Sequence, residues 1–318
     1  MIRNKVLAPV VVGIFAIGTT AACTSLPDTS AYTGATVEMR NSLRQAGGIL
    51  GAELARGVAV LPPGFRTPAL DSATSRFETA WGQTNGSVDA LVRYAESVEA
   101  LTAAGNDGRA SGEGLVQGLL GLAGAVGMAP AAAAGSLAVE TFGMINSAVA
   151  NIRAARSIEQ SLAAADPIVQ DAAQLLVAQV ASARELFDVL VAEQRNALDA
   201  AYSAEIDLDR ALTSQSHQVA AGSLEGEPQY RDAAERLRVA REAIAPRLAD
   251  YRAATLALNA RARAGTDLFA TTEAALQTWR NSHAQLVVAV RERRPVTVQS
   301  LLAASEDLKD LVERWREL

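Results

Sequence analysis

The 318-residue chain has one cysteine, Cys23, two histidines, His217 and His283, and two lysines, Lys5 and Lys309. A single cysteine excludes an internal disulfide. Two isolated histidines exclude the usual His/Cys metal sites, because one imidazole without partners binds no metal well. The Glu-x-x-His pairs of di-iron bundles are missing. Aromatic residues make up only 4 % of the chain. Strands favour β-branched and aromatic side chains, whereas Ala, Leu, Arg, Glu and Gln favour helix, so the composition predicts an all-α protein. No Gly-x-Ser-x-Gly, P-loop or dinucleotide-binding pattern occurs. Nucleophile, base and metal ligands nowhere cluster, so the expectation is a protein without catalysis, cofactor or small-molecule substrate. The formal charge of −6 disfavours nucleic acid and anionic headgroups as main partners.

What is present begins at the N-terminus. Arg3 and Lys5 precede an apolar run from Val6 to Ile17, and small residues lead into Thr20-Ala21-Ala22-Cys23. That order of charge, apolar run and small-residue cleavage site reads as a secretory signal peptide. The apolar run, about twelve residues, falls short of the roughly 20 needed to span a bilayer. With the cysteine directly after the small residues, positions 1–23 resemble a bacterial lipoprotein precursor, although Thr20 stands where that family usually has leucine. The resemblance implies cleavage before Cys23, a covalent diacylglyceryl and N-acyl lipid on Cys23, and a membrane anchored through it. In that family an Asp after the cysteine commonly retains the protein in the inner membrane. Thr24 therefore implies the periplasmic face of the outer membrane, with inner membrane and cell surface as the other compatible places. Loss of residues 1–22 takes two positive charges from −6 and leaves −8.

Residues 23–35 read as the acylated cysteine and a polar, small-residue tether, and 36–318 as one elongated helical domain. A first helix is expected over about 36–60, broken by Leu61-Pro62-Pro63-Gly64. A second is expected over about 71–104 with Asp71 as N-cap, ending at Gly105-Asn106-Asp107-Gly108. Asp166-Pro167 reads as the N-cap and first position of a long helix. From there Val169, Ala173, Leu176, Val180, Ala183, Phe187, Leu190, Gln194, Ala197, Ala201, Ala204, Leu208 and Ala211 alternate four- and three-residue steps, a coiled-coil-type seam. Leu175, Leu186, Leu198 and Leu212 widen that stripe, which suits a helix with two neighbours. After a turn at 222–228 the same spacing runs from Ile244 to Val290 through Phe269, Trp279 and His283, with Pro246 kinking or delaying the helix. A last helix is expected over about 297–317, capped by Thr297. Such lengths and spacings predict an elongated antiparallel bundle.

Between Glu113 and Arg153 the only charge is Glu140, and glycines recur at 114, 118, 121, 124 and 127. We read two helical arms, about 112–128 and 131–165. Glycine weakens a helix in water by about 1 kcal/mol relative to alanine, so this hairpin, about 112–150, calls for tight packing, a membrane, or a partner. Gly118, Leu119, Gly121, Leu122, Gly124 and Gly127 are its candidate packing or membrane residues. Three readings stay open: a buried central hairpin, a membrane-interactive hairpin, and a surface for self-association or a protein partner. An apolar glycine-rich hairpin among long amphipathic helices resembles, over roughly residues 70–290, the architecture of helical pore-forming toxins of the cytolysin type. That likeness implies membrane perturbation as the alternative to a structural or scaffolding role. His283 is expected to be a core histidine with a local hydrogen bond, and Glu205, Asp207 and Asp209 a solvated face. Arg153/Arg156 and Arg291/Arg293/Arg294 are basic clusters near helix ends.

Overall fold

The computed structural model describes residues 28–59, 61, 64–105, 109–128, 136–223 and 228–316. These residues form eight helices and no strand: α1 Ser30–Ala59, α2 Pro68–Ala104, α3 Arg109–Ala125, α4 Ser136–Ala154, α5 Ile158–Ala201, α6 Ser203–Ser223, α7 Pro228–Glu292 and α8 Gln299–Arg316. The all-α class and bundle architecture follow directly. At about 1.5 Å per residue, the 65 residues of α7 extend nearly 100 Å, and that length makes the molecule elongated.

Four helices close a ring in which α1 packs on α2, α2 on α5, α5 on α7 and α7 on α1. The chain runs up α1, down α2, up α5 and down α7. Thr29 at the start of α1 pairs with Thr102 near the end of α2; Phe77 and Ser87 of α2 meet Phe187 and Gln179 of α5; Asp166 and Arg195 of α5 meet His283 and Asn259 of α7; and Thr36 and Glu53 of α1 meet Trp279 and Arg261 of α7, so each neighbouring pair is antiparallel. Two shorter helices fill grooves on opposite sides. α8 lies against α1 and α7, and α3 lies against α2 and α5, with α4 beside it on α5. The stripes that the sequence period marks are the buried ones: Leu176, Val180, Phe187 and Leu190 in α5, and Phe269, Leu276, Trp279 and Leu286 in α7. Phe77, Trp81, Phe187 and Phe269 interlock at centroid distances of 5.6–6.4 Å. Glycines make room for them. A methyl on Gly47 would overlap the Trp81 ring, and one on Gly265 would overlap Phe187, so here glycine inside a helix is compensated by close approach.

Beyond Leu198 the ring ends. α6 continues upward alone and pairs only with the first part of α7 as an antiparallel two-helix arm. Tyr251 Oη donates to Asp199 at 2.9 Å, Arg247 pairs with Glu205 at 3.0 Å, and Arg241 donates to Thr213 at 2.7 Å. Among the described residues the arm buries only Tyr202, Leu212 and Leu248 of its large side chains.

Several boundaries differ from the sequence reading. Helix begins at Ser30, so residues 30–35 belong to α1 and not to a tether; Tyr32 and Ala35 are fully buried. The N-cap of α2 is Thr67, which accepts from the Leu70 amide at 3.2 Å; Asp71 instead pairs with Arg66. α4 ends at Ala154, and α5 starts at 158 behind the Ser157 cap, which replaces Asp166 in that role. Pro167 and Pro246 sit inside α5 and α7. Both are exposed, as are Ala163 and Glu242 one turn earlier, so the carbonyls they orphan face water. The long helix from 158 is interrupted at Tyr202. The seam is buried only through Ala197; Ala204, Leu208 and Ala211 are exposed, and so is Leu175. α8 begins at Gln299, two residues after the expected Thr297 cap.

Candidate functional site

Cys23 and the preceding Thr20, Ala21 and Ala22 lie outside the described residues, as do 129–135 at the turn between α3 and α4. The chain enters the fold at Thr29, whose Oγ1 lies 2.7 Å from Thr102 Oγ1 near the end of α2. Any group on Cys23 is therefore tied to that end of the bundle, and the α6–α7 arm leaves from the other.

The glycine-rich stretch divides into two faces. Leu115, Leu119 and Leu122 are fully buried against α2 and α5. Gly118 is a packing glycine: a methyl there would crowd Ser97 and the Tyr94 backbone. Gly121 and Gly124 are exposed with open space around them. Gly127 has a positive φ of 84° and ends α3; Met128 N–H reaches the Ala123 carbonyl at 2.8 Å across it. That six-to-one bond over a left-handed glycine is a Schellman cap. The two helices are not a free-standing hairpin, since α3 packs chiefly on α2 and α5, and α4 on α5. Their mutual tie includes Arg153–Glu113 at 3.0 Å, which draws the Glu113 carboxyl below its usual range. Among the described residues no helix is long and apolar enough to cross a membrane.

A buried polar chain crosses the bundle. Asp166 Oδ1 lies 2.9 Å from His283 Nδ1, and His283 Nε2 lies 2.8 Å from Tyr94 Oη. A carboxylate only accepts, so Nδ1 carries a proton and donates to Asp166, while Nε2 shares the second hydrogen bond with the Tyr94 phenol. Burial pushes the Tyr94 phenol well up, and the His283 hydrogen bond draws the half-buried Asp166 carboxyl down. His283 and Tyr94 are fully buried, which closes the ring nitrogens to a substrate and makes the network a clamp between α2, α5 and α7. Trp279 adds α1 to it, donating to Thr36 at 3.0 Å. Sequence reasoning missed Asp166 because Asp-Pro reads as a helix start. The signal was there: stepping the α5 seam back from Val169 gives Asp166 and then Leu162, both on the inward face.

The remaining candidates are surface features. Glu205 pairs with Arg247 and Asp207 with Arg210 at 2.9 Å, while His217 is exposed. Arg294 pairs with Glu292 at 2.9 Å. Among the described residues no group of three His, Cys, Asp or Glu side chains is placed to hold a metal ion.

These features define a class: an up-down-up-down four-helix bundle with two groove-filling helices and a protruding two-helix arm. Compared with known protein families, curated proteins and solved structures, the chain matches none.

Proposed function

We propose that this is a lipid-anchored cell-envelope protein with a structural or scaffolding role, which presents its helical arm to a protein partner and performs no catalysis. One observation carries the reading: the end of the bundle tied to Cys23 through Thr29 and Thr102 is opposite to the end from which the α6–α7 arm projects. An acylated cysteine at one end and an unpartnered arm at the other suit a connector. Each buried CH₂ of an acyl chain contributes about 0.8 kcal/mol, so two or three chains anchor stably. The alternative, membrane perturbation through 112–150, draws no support from Leu119 and Leu122, which face the core.

Metabolic labelling with a palmitate analogue is expected to mark the wild type and not Cys23→Ser; equal labelling would overturn the anchor. Affinity capture from detergent-solubilised envelopes tests the arm. Wild type is expected to retain an envelope assembly that is lost when 206–247 is replaced by a short Gly-Ser bridge. Retention by both would overturn the scaffolding role of the arm.

A further inference from the structure

Where the arm leaves the bundle, three helices fail to close on one another. The last turn of α1 with Leu61 beyond it, the end of α5, and α7 from Ala253 to Arg261 enclose a cleft of about 260 Å³. Its walls are apolar: Leu61, Leu198, Ala254, Ala257 and Leu258. The spacing sets the side they take. Leu198 follows Gln194 by one turn of α5, and Ala254, Ala257, Leu258 and Arg261 stand three and four residues apart along one side of α7. Alanine at 254 and 257 is too short to reach α1, so the gap stays open, with the exposed Ala253 at its mouth.

Two polar side chains line the same cleft, and neither is satisfied. Gln194 is only 3 % exposed. Its Nε2 donates to the Leu54 carbonyl at 3.1 Å, while its Oε1, shut off from bulk water, has no hydrogen-bond partner. An orphaned buried carbonyl is uncommon, because nothing offsets its desolvation. Arg261, with a side chain 17 % exposed, uses only Nε, on Glu53 at 3.3 Å. Its terminal N–H groups have no partner among the described residues. Gly57 brings the two side chains together. A methyl there would lie 2.8 Å from Gln194 Oε1 and 3.1 Å from Arg261 Nη1. An unpaired acceptor and an unpaired donor therefore flank one point, and glycine leaves that point empty.

We propose that this cleft binds a small neutral molecule that carries an apolar group and a carboxamide. The amide oxygen accepts from Arg261 Nη1, and the amide N–H donates to Gln194 Oε1, so one planar group answers both side chains. The last torsion of a glutamine side chain is soft, and the Gln194 carbonyl turns to meet an entering donor. The apolar group lies against Leu61, Leu198 and Leu258. A cavity of about 150 Å³ holds benzene, so 260 Å³ takes a ring with a short amide arm. A carboxylate fits the pair less well. It would set its oxygens beside the Glu53 carboxylate and the Gln194 carbonyl, adding acceptors where a donor is missing. A carbonyl without an N–H would leave Oε1 unpaired. Clefts between helices with apolar walls and a few convergent polar groups are where small ligands commonly bind. Leu198 is one turn before the break at Tyr202, so the occupant touches both the bundle and the root of the arm. The site goes beyond the scaffolding role and is independent of the lipid on Cys23.

The test uses the full protein in phospholipid nanodiscs, with protein-free nanodiscs as the blank for partition into lipid. Fluorine NMR titrations follow para-fluorophenylacetamide, para-fluorophenylacetate and para-fluorophenylacetone, which share a ring and differ at the group that meets Gln194 and Arg261. The amide is expected to bind in about the millimolar range, ordinary for a ligand of about eleven non-hydrogen atoms. It is expected to bind about tenfold more tightly than the ketone or the carboxylate. Ala257→Leu fills the cleft from a half-buried position and is expected to abolish binding with an unchanged melting curve. Gln194→Leu is expected to bring the amide down to the affinity of the ketone; if that variant does not fold, the three ligands on the wild type decide. Equal amide signals from the wild type and Ala257→Leu would overturn the site and leave the space to water. Equal affinities for amide and ketone would overturn the pairing with Gln194 and the proposal with it. Tightest binding by the carboxylate would make the cleft an anion site on Arg261 and likewise overturn it. The anchor and the arm are read separately, by labelling and by affinity capture, and stand or fall apart from these results.

Discussion

The bundle and the arm are built from the same two helices, α5–α6 and α7, yet they are held together by different physics. In the bundle each long helix has at least two neighbours, and the inward positions carry rings: Phe77, Trp81, Phe187 and Phe269 at one level, Tyr32, Tyr94, Trp279 and His283 at another. In the arm each helix has one neighbour. What joins them is a line of surface pairs, Asp199–Tyr251, Glu205–Arg247 and Thr213–Arg241, with Arg247 also stacked 4.5 Å over the Tyr202 ring. Surface pairs of this kind are individually weak and screened by salt. The contrast teaches that helical periodicity marks the side a helix can bury, while the number of neighbours decides whether burial happens. Val239 in α7 makes the same point: it is strongly apolar and exposed where α6 is the one helix packed on that part of α7.

The largest expected effect divides the two regions. Phe187→Ala removes a fully buried ring that touches Phe77 and Phe269, and is expected to cost about 3–5 kcal/mol of stability in urea unfolding followed by circular dichroism. Leu248→Ala in the arm is expected to cost at most the low end for such truncations, about 2 kcal/mol, and to leave the main transition in place. Equal losses would mean that the arm and bundle unfold as one unit.

A smaller effect tests the clamp across the bundle. The Asp166 carboxyl is held below the ordinary carboxylate range, first by the hydrogen bond from His283, with further help from Gln170 and Arg280. A group whose folded pKa lies below its unfolded value near 3.8 contributes stability that is complete above that value. The contribution is lost as pH falls through the folded pKa. Asp166→Asn keeps an acceptor for His283 Nδ1–H but cannot titrate. Its stability is expected to fall less than that of the wild type between pH 5 and the acid limit near pH 3 (about two units around the carboxylate range). Parallel acid limbs in urea titrations would remove Asp166 from the pH response.

How much of this was legible in the sequence follows from the same comparison. The all-α class, the long helices and the inward residues of α5 and α7 were readable because their spacing repeats wherever two neighbours exist. The break at Tyr202 was not, since Ala201, Ala204, Leu208 and Ala211 keep the period after the neighbours have gone. Local punctuation misled in the opposite direction. Asp166-Pro167 and Pro246 read as helix limits, but a proline on the water side costs a helix less than one facing its core. The scarcity of charge along α3 and α4 was visible as composition. Which of its leucines face the core was not, because a stretch built from Gly, Ala and Leu has little polar contrast to mark a side: Leu119 and Leu122 point in, and Leu120 points out.

The smallest effect sharpens the boundary itself. Arg247 links the arm's two helices through Glu205 and covers Tyr202, the residue at which α5 ends. Both charges are on the surface, so Arg247→Ala is expected to leave the melting curve of the whole protein almost unmoved. Hydrogen exchange reads the local consequence. Amides of α6 and of α7 before Leu248 are expected to exchange faster in the variant, while those around Phe187, Phe269 and Trp279 keep their protection, because opening of a region with few buried contacts costs less than global unfolding. If amides near Phe187 and Trp279 lost protection to the same extent, the arm would be part of the cooperative core, and the distinction between a packed bundle and a surface-paired arm would fail.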